Sequence, residues 1–492
     1  MALLGRPRHD LRRLTRFHFY PSLAMDIQKI SNTDSAFARI LRKNETTIAL
    51  LAITLLTFLI HGEALNGSWR WDDGGHLKFA IDHTPFDYFF HSKTAIAYSF
   101  AHVAPWNILF YDLNLSLFGM EARWHYVHLQ IILALGITFF YKTLRQWIAP
   151  IPASISVFAI LLGKPTFHIA AGLMHGHYAT GFAFSMLCIF YWTNYLRKNE
   201  GRYLLFSTLL YLLATTCKEI YVPLPLILPL IPAGDARQRI ISTVPFFGIT
   251  ALYMAWRFSI LGVFIGGYSQ GKFETKNAIT HLSKIPLLLM DRELHGTLTI
   301  ATILFLTTLS VLKNKLNYSL IAGIAFITIA PLVPLTTYPG INTPDRYLLI
   351  PWVALCALIA ITLNNSKFYI TAIACLILTP SLLIIHENGK KEVYQDIVFW
   401  DTIYYFSLIA DKSKQAIFVG PDDGFRKIVL TGARETLEKL QNQQSPHKLI
   451  TVNAAGGGLQ EARDLGLQLF ETDGNNIVSM SEERIAQAIS RK

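Results

Sequence analysis

Residues 48–76 read IALLAITLLTFLIHGEALNGSWRWDDGGH, an apolar run ending at Ile60 that soon gives way to Trp69-Arg70-Trp71-Asp72-Asp73-Gly74-Gly75-His76. Ahead of the run, residues 1–45 carry nine Lys or Arg against four Asp or Glu, with no apolar core or cleavage motif of a leader, so no removable signal peptide is expected. Basic flanks stay in the cytoplasm. The first helix is therefore expected to leave the membrane outward, which puts the acidic pair beyond it on the outer side.

The rest of the chain fits a membrane setting. With 52% hydrophobic and 16% charged residues among 492, it carries more apolar surface than an ordinary soluble protein can hide. The net charge of +11 lies mainly in the tail and in short loops between apolar runs, where topology explains it and nucleic-acid binding is not expected. Residues 61–121 form a long outer loop, and within it 77–90 and 95–118 are rich in Phe, Tyr and Trp but broken by Pro85, Pro105 and charges. Such segments read as interfacial helices on the outer leaflet. Further apolar runs follow near 124–141, 151–171, 177–196, 203–217, 220–233, 240–262, 294–312, 318–338, 346–363 and 368–386, which predicts a polytopic bundle of about eleven crossings, with 203–217 and 220–233 short enough to be tilted or partly re-entrant. Each predicted inner loop is basic: Lys142/Arg145, Arg197/Lys198/Arg202, Arg237/Arg239, Lys313/Lys315 and Lys367. An odd count leaves the C-terminus outside.

The predicted organisation is a cytoplasmic tail (1–45), a transmembrane domain (46–386) and a small extracytoplasmic α/β domain (387–492). In the last, 416–420 and 448–452 read as strands, and 424–441, 459–469 and 481–491 as amphipathic helices, joined through an aromatic helix near 393–410. The Gly-rich 455–458 lacks the spacing of a nucleotide-binding loop. Cys188, Cys217, Cys356 and Cys375 all fall in apolar runs without metal-ligand spacing and are expected to pack as small hydrophobes.

Charged side chains kept at membrane depth are costly, which marks each one as a functional candidate. Asp72 and Asp73 suit a general base or a metal and phosphate site, although either one also suits the cap of a helix starting near His76. Lys218-Glu219 stands at an outer junction and reads equally as a local ion pair. Arg257, near the outer end of its run, reads as a grip on a lipid phosphate or as a snorkelling arginine. Asp345-Arg346-Tyr347 opens a late run, with Arg346 placed for a phosphate or neutralised by Asp345. His175 and His177, with His168 nearby, lack a third metal ligand in their segment, so they are expected to line a polar cavity. His76, His102, Lys164 and Tyr268 complete the cavity candidates. A divalent cation stays open, because two aspartates without further ligands fit either case.

Taken together, the acidic pair in a long first outer loop with interfacial helices, the Lys218-Glu219 pair, the Arg346-Tyr347 helix start and the outer C-terminal domain resemble the GT-C glycosyltransferase superfamily. The resemblance covers nearly the whole chain as architecture and only a few residues as motif. It implies a GT-C-like bundle that takes a sugar from a polyprenyl-phosphate donor and passes it to a glycolipid, polysaccharide or protein acceptor. Asp72 would be the base with Asp73 positioning beside it, and Lys218, Arg257 and Arg346 would hold the donor phosphate. This chain has Asp-Asp where many relatives have Asp-Glu. It lacks the WWDYG-type signature of oligosaccharyltransferases, so a single-sugar donor is implied. A transporter or flippase of a lipid-linked or anionic solute is the first rival, and an O-antigen polymerase or ligase the second. Neither an internal repeat nor a large late outer loop supports them.

Overall fold

In the computed structural model the described residues are 43–264 apart from 68 and 232, most of 301–308, 345–409 apart from 365, and short pieces between 416 and 490. The basic tail up to residue 42, the run 318–338, most of 294–312, Tyr268 and the Gly-rich 455–458 lie outside them. The chain divides into residues 1–51 and one compact unit of residues 52–492, which holds every side chain discussed below.

Helix α1 (Glu45–His61) is the first apolar run. The outer loop then breaks where proline dictates. Helix α2 (Asp73–Asp82) is followed by α3 (Pro85–Phe90), α4 (Ser92–Tyr98) and α5 (Pro105–Phe118), with Pro85 and Pro105 each at a first helical position, where a missing N–H costs nothing. Next come α6 (Ala122–Leu144), α7 (Pro150–Leu162), α8 (Lys164–Ala171), α9 (Gly176–Lys198) and α10 (Gly201–Cys217). Helices α11 (Ala236–Ser242), α12 (Val244–Leu261), α13 (Leu349–Asn364) and α14 (Phe368–Ile409) follow.

Among the described residues, five helical stretches are long and apolar enough to cross a membrane: Glu45–Asn66, Ala122–Leu144, Ala236–Leu261, Arg346–Asn364 and Ile370–Lys391. The α7–α8 pair, bent by 57°, is a sixth if counted as one span. Their outward faces carry Leu55, Leu59, Leu252, Phe258, Ile373 and Leu376 uncovered by protein, as lipid-facing helices should. The chain is built as an integral membrane protein.

Two expectations are corrected. The run 220–233 is not an α-helical crossing but a chain of 3-10 turns, Glu219–Tyr221, Leu224–Leu226 and Leu228–Leu230. Pro223, Pro225, Pro229 and Pro232 remove N–H donors too often for an α-helix to persist. The helices expected at 368–386 and 393–410 are one continuous α14 of 42 residues.

Near the C-terminus a four-stranded sheet runs β2-β1-β3-β4, with β1 (Ala416–Gly420) parallel to β2 (Ile450–Asn453) and β3 (Gln468–Asp473), and β4 (Asn476–Ser479) antiparallel to β3. Helix α15 (Glu482–Ser490) closes the chain. The hairpin β3–β4 was not expected, although Asp473-Gly474-Asn475 is a turn signal that would have found it.

Inside the bundle, polar side chains bind helices to one another, as they do where lipid supplies no hydrophobic drive for association. Ser156 Oγ donates to the Cys356 carbonyl at 2.7 Å and Trp352 Nε1 to the Ala159 carbonyl at 3.2 Å, which fastens α13 to α7. The α7–α8 bend falls at Gly163, where a Cβ would stand 2.0 Å from Trp352 Nε1. Gly163→Val should therefore displace a buried indole and destabilise the fold by roughly 1–3 kcal/mol, as overpacked cores do. The measurement is the thermal midpoint of the detergent-solubilised protein, and an unchanged midpoint would contradict this packing.

Candidate active site

Helix α2 begins at a turn held closed by a buried carboxylate. Asp73, with no exposed surface, accepts the Arg70 backbone N–H on Oδ2 at 2.7 Å and the Tyr111 hydroxyl on Oδ1 at 2.5 Å. Between Arg70 and Asp72, Trp71 is held at φ +46°. That left-handed backbone costs a bulky residue roughly 1–3 kcal/mol, and it persists only where its surroundings over-determine it. Those surroundings include the Arg70 side chain, also fully buried, whose Nη1 donates to the Ala171 carbonyl at 2.9 Å and whose guanidinium lies 5.1 Å over the Tyr126 ring. A Cβ at Gly67 would fall 1.2 Å from Arg70 Nη2, so the turn needs glycine there.

This arrangement separates the two aspartates. Asp73 is spent inside the protein. Asp72 occupies the cap position of α2, half-buried, yet its side chain makes no capping hydrogen bond. The capping explanation thus fails for the residue that was best placed for it. Burial pushes the Asp73 carboxyl up to about 7, against the pull of the Tyr111 hydroxyl and the Arg70 N–H. One turn on, His76 Nε2 lies 3.1 Å from Asn107 Nδ2 and 3.2 Å from the Tyr98 hydroxyl. Burial draws this imidazole down to about 4, with the Asp72 charge opposing, so the ring is neutral at pH 7.

A second group gathers where α10 ends. Glu219 Oε1 accepts Arg257 Nη1 at 2.5 Å and faces His102 Nδ1 at 3.2 Å, while Oε2 is 3.7 Å from Lys218 Nζ. Burial opposes the charged form, but His102, Lys218 and Arg257 outweigh it and hold the Glu219 carboxyl well below the usual carboxylate range. Arg257 also donates from Nε to the Phe264 carbonyl at 3.1 Å and from Nη2 to the Ala101 carbonyl at 3.3 Å. Three of the five N–H donors of this guanidinium are thus engaged. The geometry makes Arg257 the clamp of Glu219 before it is anything else.

The Lys218 ammonium, 5% exposed, lies 5.6 Å from the Tyr178 ring centre and 5.8 Å from that of Tyr347. The Arg346 guanidinium lies 5.6 Å from the same Tyr347 ring, so one aromatic side chain carries both cations. Two histidines connect the groups. His175 is beside Trp71, with ring centres 6.4 Å apart, and is near enough to Arg346 to feel its charge. His177 packs 4.4 Å from Tyr178.

The structure therefore joins Asp72, Asp73, His76, His102, His175, His177, Lys218, Glu219, Arg257, Arg346 and Tyr347 into one connected set. Lys164 stands apart, at the start of α8 with its stem toward Gly389 of α14. Asp345 opens the 3-10 turn Asp345–Leu348. Sequence reasoning missed Arg70 and Tyr178, and it read Tyr111 only as one of the aromatic residues of 95–118. Asn107 and Tyr111, one helical turn apart on α5, were the available signal.

Both Asp73 oxygens accept hydrogen bonds from protein donors. Among the described residues no three His, Cys, Asp or Glu side chains converge on a point that could hold a divalent cation.

The bundle and its first-loop helices form a fold that a solved protein shares. ArnT from Cupriavidus metallidurans bound to undecaprenyl phosphate shares it at a TM-score of 0.52 and 10% identity, over 89% of this chain and 98% of that one. The apo form of the same protein aligns at a TM-score of 0.45 and 10% identity, over 87% and 93%. No family model and no curated protein matches the sequence.

The raised carboxyl of Asp73 carries a pH signature. Between the ordinary value of 3.8 and about 7 the folded protein holds a proton that the unfolded chain releases, so stability should fall as pH rises through that window and level off above it. Thermal midpoints measured across this range should show the decline in the wild type and a flatter profile in Asp73→Asn. Identical profiles would mean that Asp73 titrates normally.

Proposed function

We propose that this chain transfers a single sugar, a hexose or pentose, from a polyprenyl-phosphate carrier to an acceptor at the outer face of the membrane. The observation that carries the reading is a carboxylate free of structural duty, Asp72, on a strained turn connected through His76 and His175 to two cations, Lys218 and Arg346. The fold it shares with ArnT, a protein crystallised with undecaprenyl phosphate, supports a lipid-phosphate donor.

A membrane-anchored donor presents its phosphate at headgroup level, where buried cations are worth most. Asp72 takes the proton from an acceptor hydroxyl, whose oxygen attacks the anomeric carbon. The bond from that carbon to the phosphate oxygen breaks, and its electron pair leaves with the polyprenyl phosphate. Lys218 and Arg346 neutralise the charge that develops there. Glu219, anchored by Arg257 and His102, keeps Lys218 at its station. Holding both reactants in line removes much of the entropic barrier. In this reading the basic tail is cytoplasmic, and the site and residues 387–492 are extracytoplasmic. The acceptor is a glycolipid, a polysaccharide or a protein.

Asp72→Asn should lower kcat by roughly 10²–10⁴-fold, the usual worth of a general base, without changing the thermal midpoint. Lys218→Met should chiefly raise the KM for the donor. Both are measured as release of undecaprenyl phosphate from undecaprenyl-phosphate-linked sugars by the reconstituted full chain. Full activity of Asp72→Asn would refute the assignment of the base.

A further inference from the structure

His175 and His177 are 5% and 4% exposed, and the step described above uses neither. The Nδ1 atom of His175 lies 2.8 Å from the carbonyl oxygen of His168. A carbonyl only accepts, so Nδ1 carries the ring proton and Nε2 of the neutral ring is a lone-pair acceptor. That Nε2 is buried and has no hydrogen-bond partner among the described residues, and the same holds for His177 Nδ1. Folded proteins satisfy the great majority of such atoms, so an exception invites a ligand. Burial, and after it the Arg346 charge, keep the His175 imidazole well below its ordinary value, which preserves the lone pair.

The location narrows the ligand. His175 borders Trp71, the residue before Asp72, and feels the charge of Arg346. In a displacement at an anomeric carbon the sugar ring occupies the space between the base and the departing phosphate, which is the space these two neighbours bracket. A sugar offers hydroxyl donors to a nitrogen acceptor and apolar C–H faces to an indole.

We propose that His175, with His177 beside it, forms the sugar-binding subsite: His175 Nε2 accepts a hydrogen bond from a hydroxyl of the transferred sugar while the linking phosphate lies against Lys218 and Arg346. This rests on the reading of the chain as a polyprenyl-phosphate-sugar transferase. His175 is thereby a substrate-recognition residue, distinct from the base and from the phosphate cations.

The test uses the full chain in lipid nanodiscs, with bare undecaprenyl phosphate and a panel of undecaprenyl-phosphate-linked hexoses and pentoses as probes. The wild type should bind at least one sugar-bearing lipid roughly tenfold more tightly than the bare lipid, the worth of one good hydrogen bond. His175→Leu should erase that preference and leave the affinity for bare undecaprenyl phosphate within about twofold. His175→Gln, whose amide oxygen reaches the place of Nε2, should recover part of it. If the leucine variant does not fold, His175→Asn, which keeps a donor for the His168 carbonyl but has no acceptor at the Nε2 position, should show the same loss. A variant that keeps the sugar preference, or that loses bare and sugar-bearing lipid alike, overturns the subsite. A wild type that binds the bare lipid but prefers no sugar overturns it while sparing the proposed function. A wild type that binds no polyprenyl lipid removes both.

Discussion

The site depends on a carboxylate that is wholly buried. Asp73 gathers the Arg70 N–H and the Tyr111 hydroxyl around itself, and by closing that turn it forces Trp71 into a backbone conformation it would not adopt alone. Helix α2 is thereby tied to α5, and the side chain of the preceding residue, Asp72, makes no capping hydrogen bond. Burying a charge this way is expensive, and Asp73 meets much of the cost by holding its proton up to near neutral pH. The two aspartates differ little in sequence and greatly in environment, and the difference assigns their duties.

The cations obey the same logic in reverse. Three positive side chains face Glu219 or the tyrosines beside it: Arg257 is engaged by this carboxylate and by the Phe264 and Ala101 carbonyls, while Lys218 and Arg346 rest near the rings of Tyr178 and Tyr347, whose faces favour a cation.

How far the sequence could be read follows from which rules act locally. Proline rules are local, and they break the outer loop at Pro85 and Pro105 as expected; the prolines between 223 and 232 act by the same rule against an apolar run whose composition alone suggests a crossing. Helix α14 is expected as two because its apolar stretch ends near 386 and Asn388-Gly389 is a stop signal, yet the helix runs through both. The acidic pair, Lys218-Glu219 and Arg346-Tyr347 were visible because ionisable residues are rare at membrane depth. Their division of labour was not, since it depends on Tyr111, Tyr178 and backbone carbonyls that are distant in sequence. Arg257 is the clearest case: its position suited a phosphate, and only its three dimensional partners show it engaged elsewhere.

Helix α14 has a mechanical consequence. A run of 42 residues is about 60 Å long, roughly twice the hydrocarbon thickness of a bilayer, and beyond Pro380 no proline interrupts it. It acts as a stiff mast, not as a tether. The stretch Ile370–Lys391 already suffices to cross a bilayer, so the 18 residues from 392 to 409 add a helical spacer of about 27 Å beyond it.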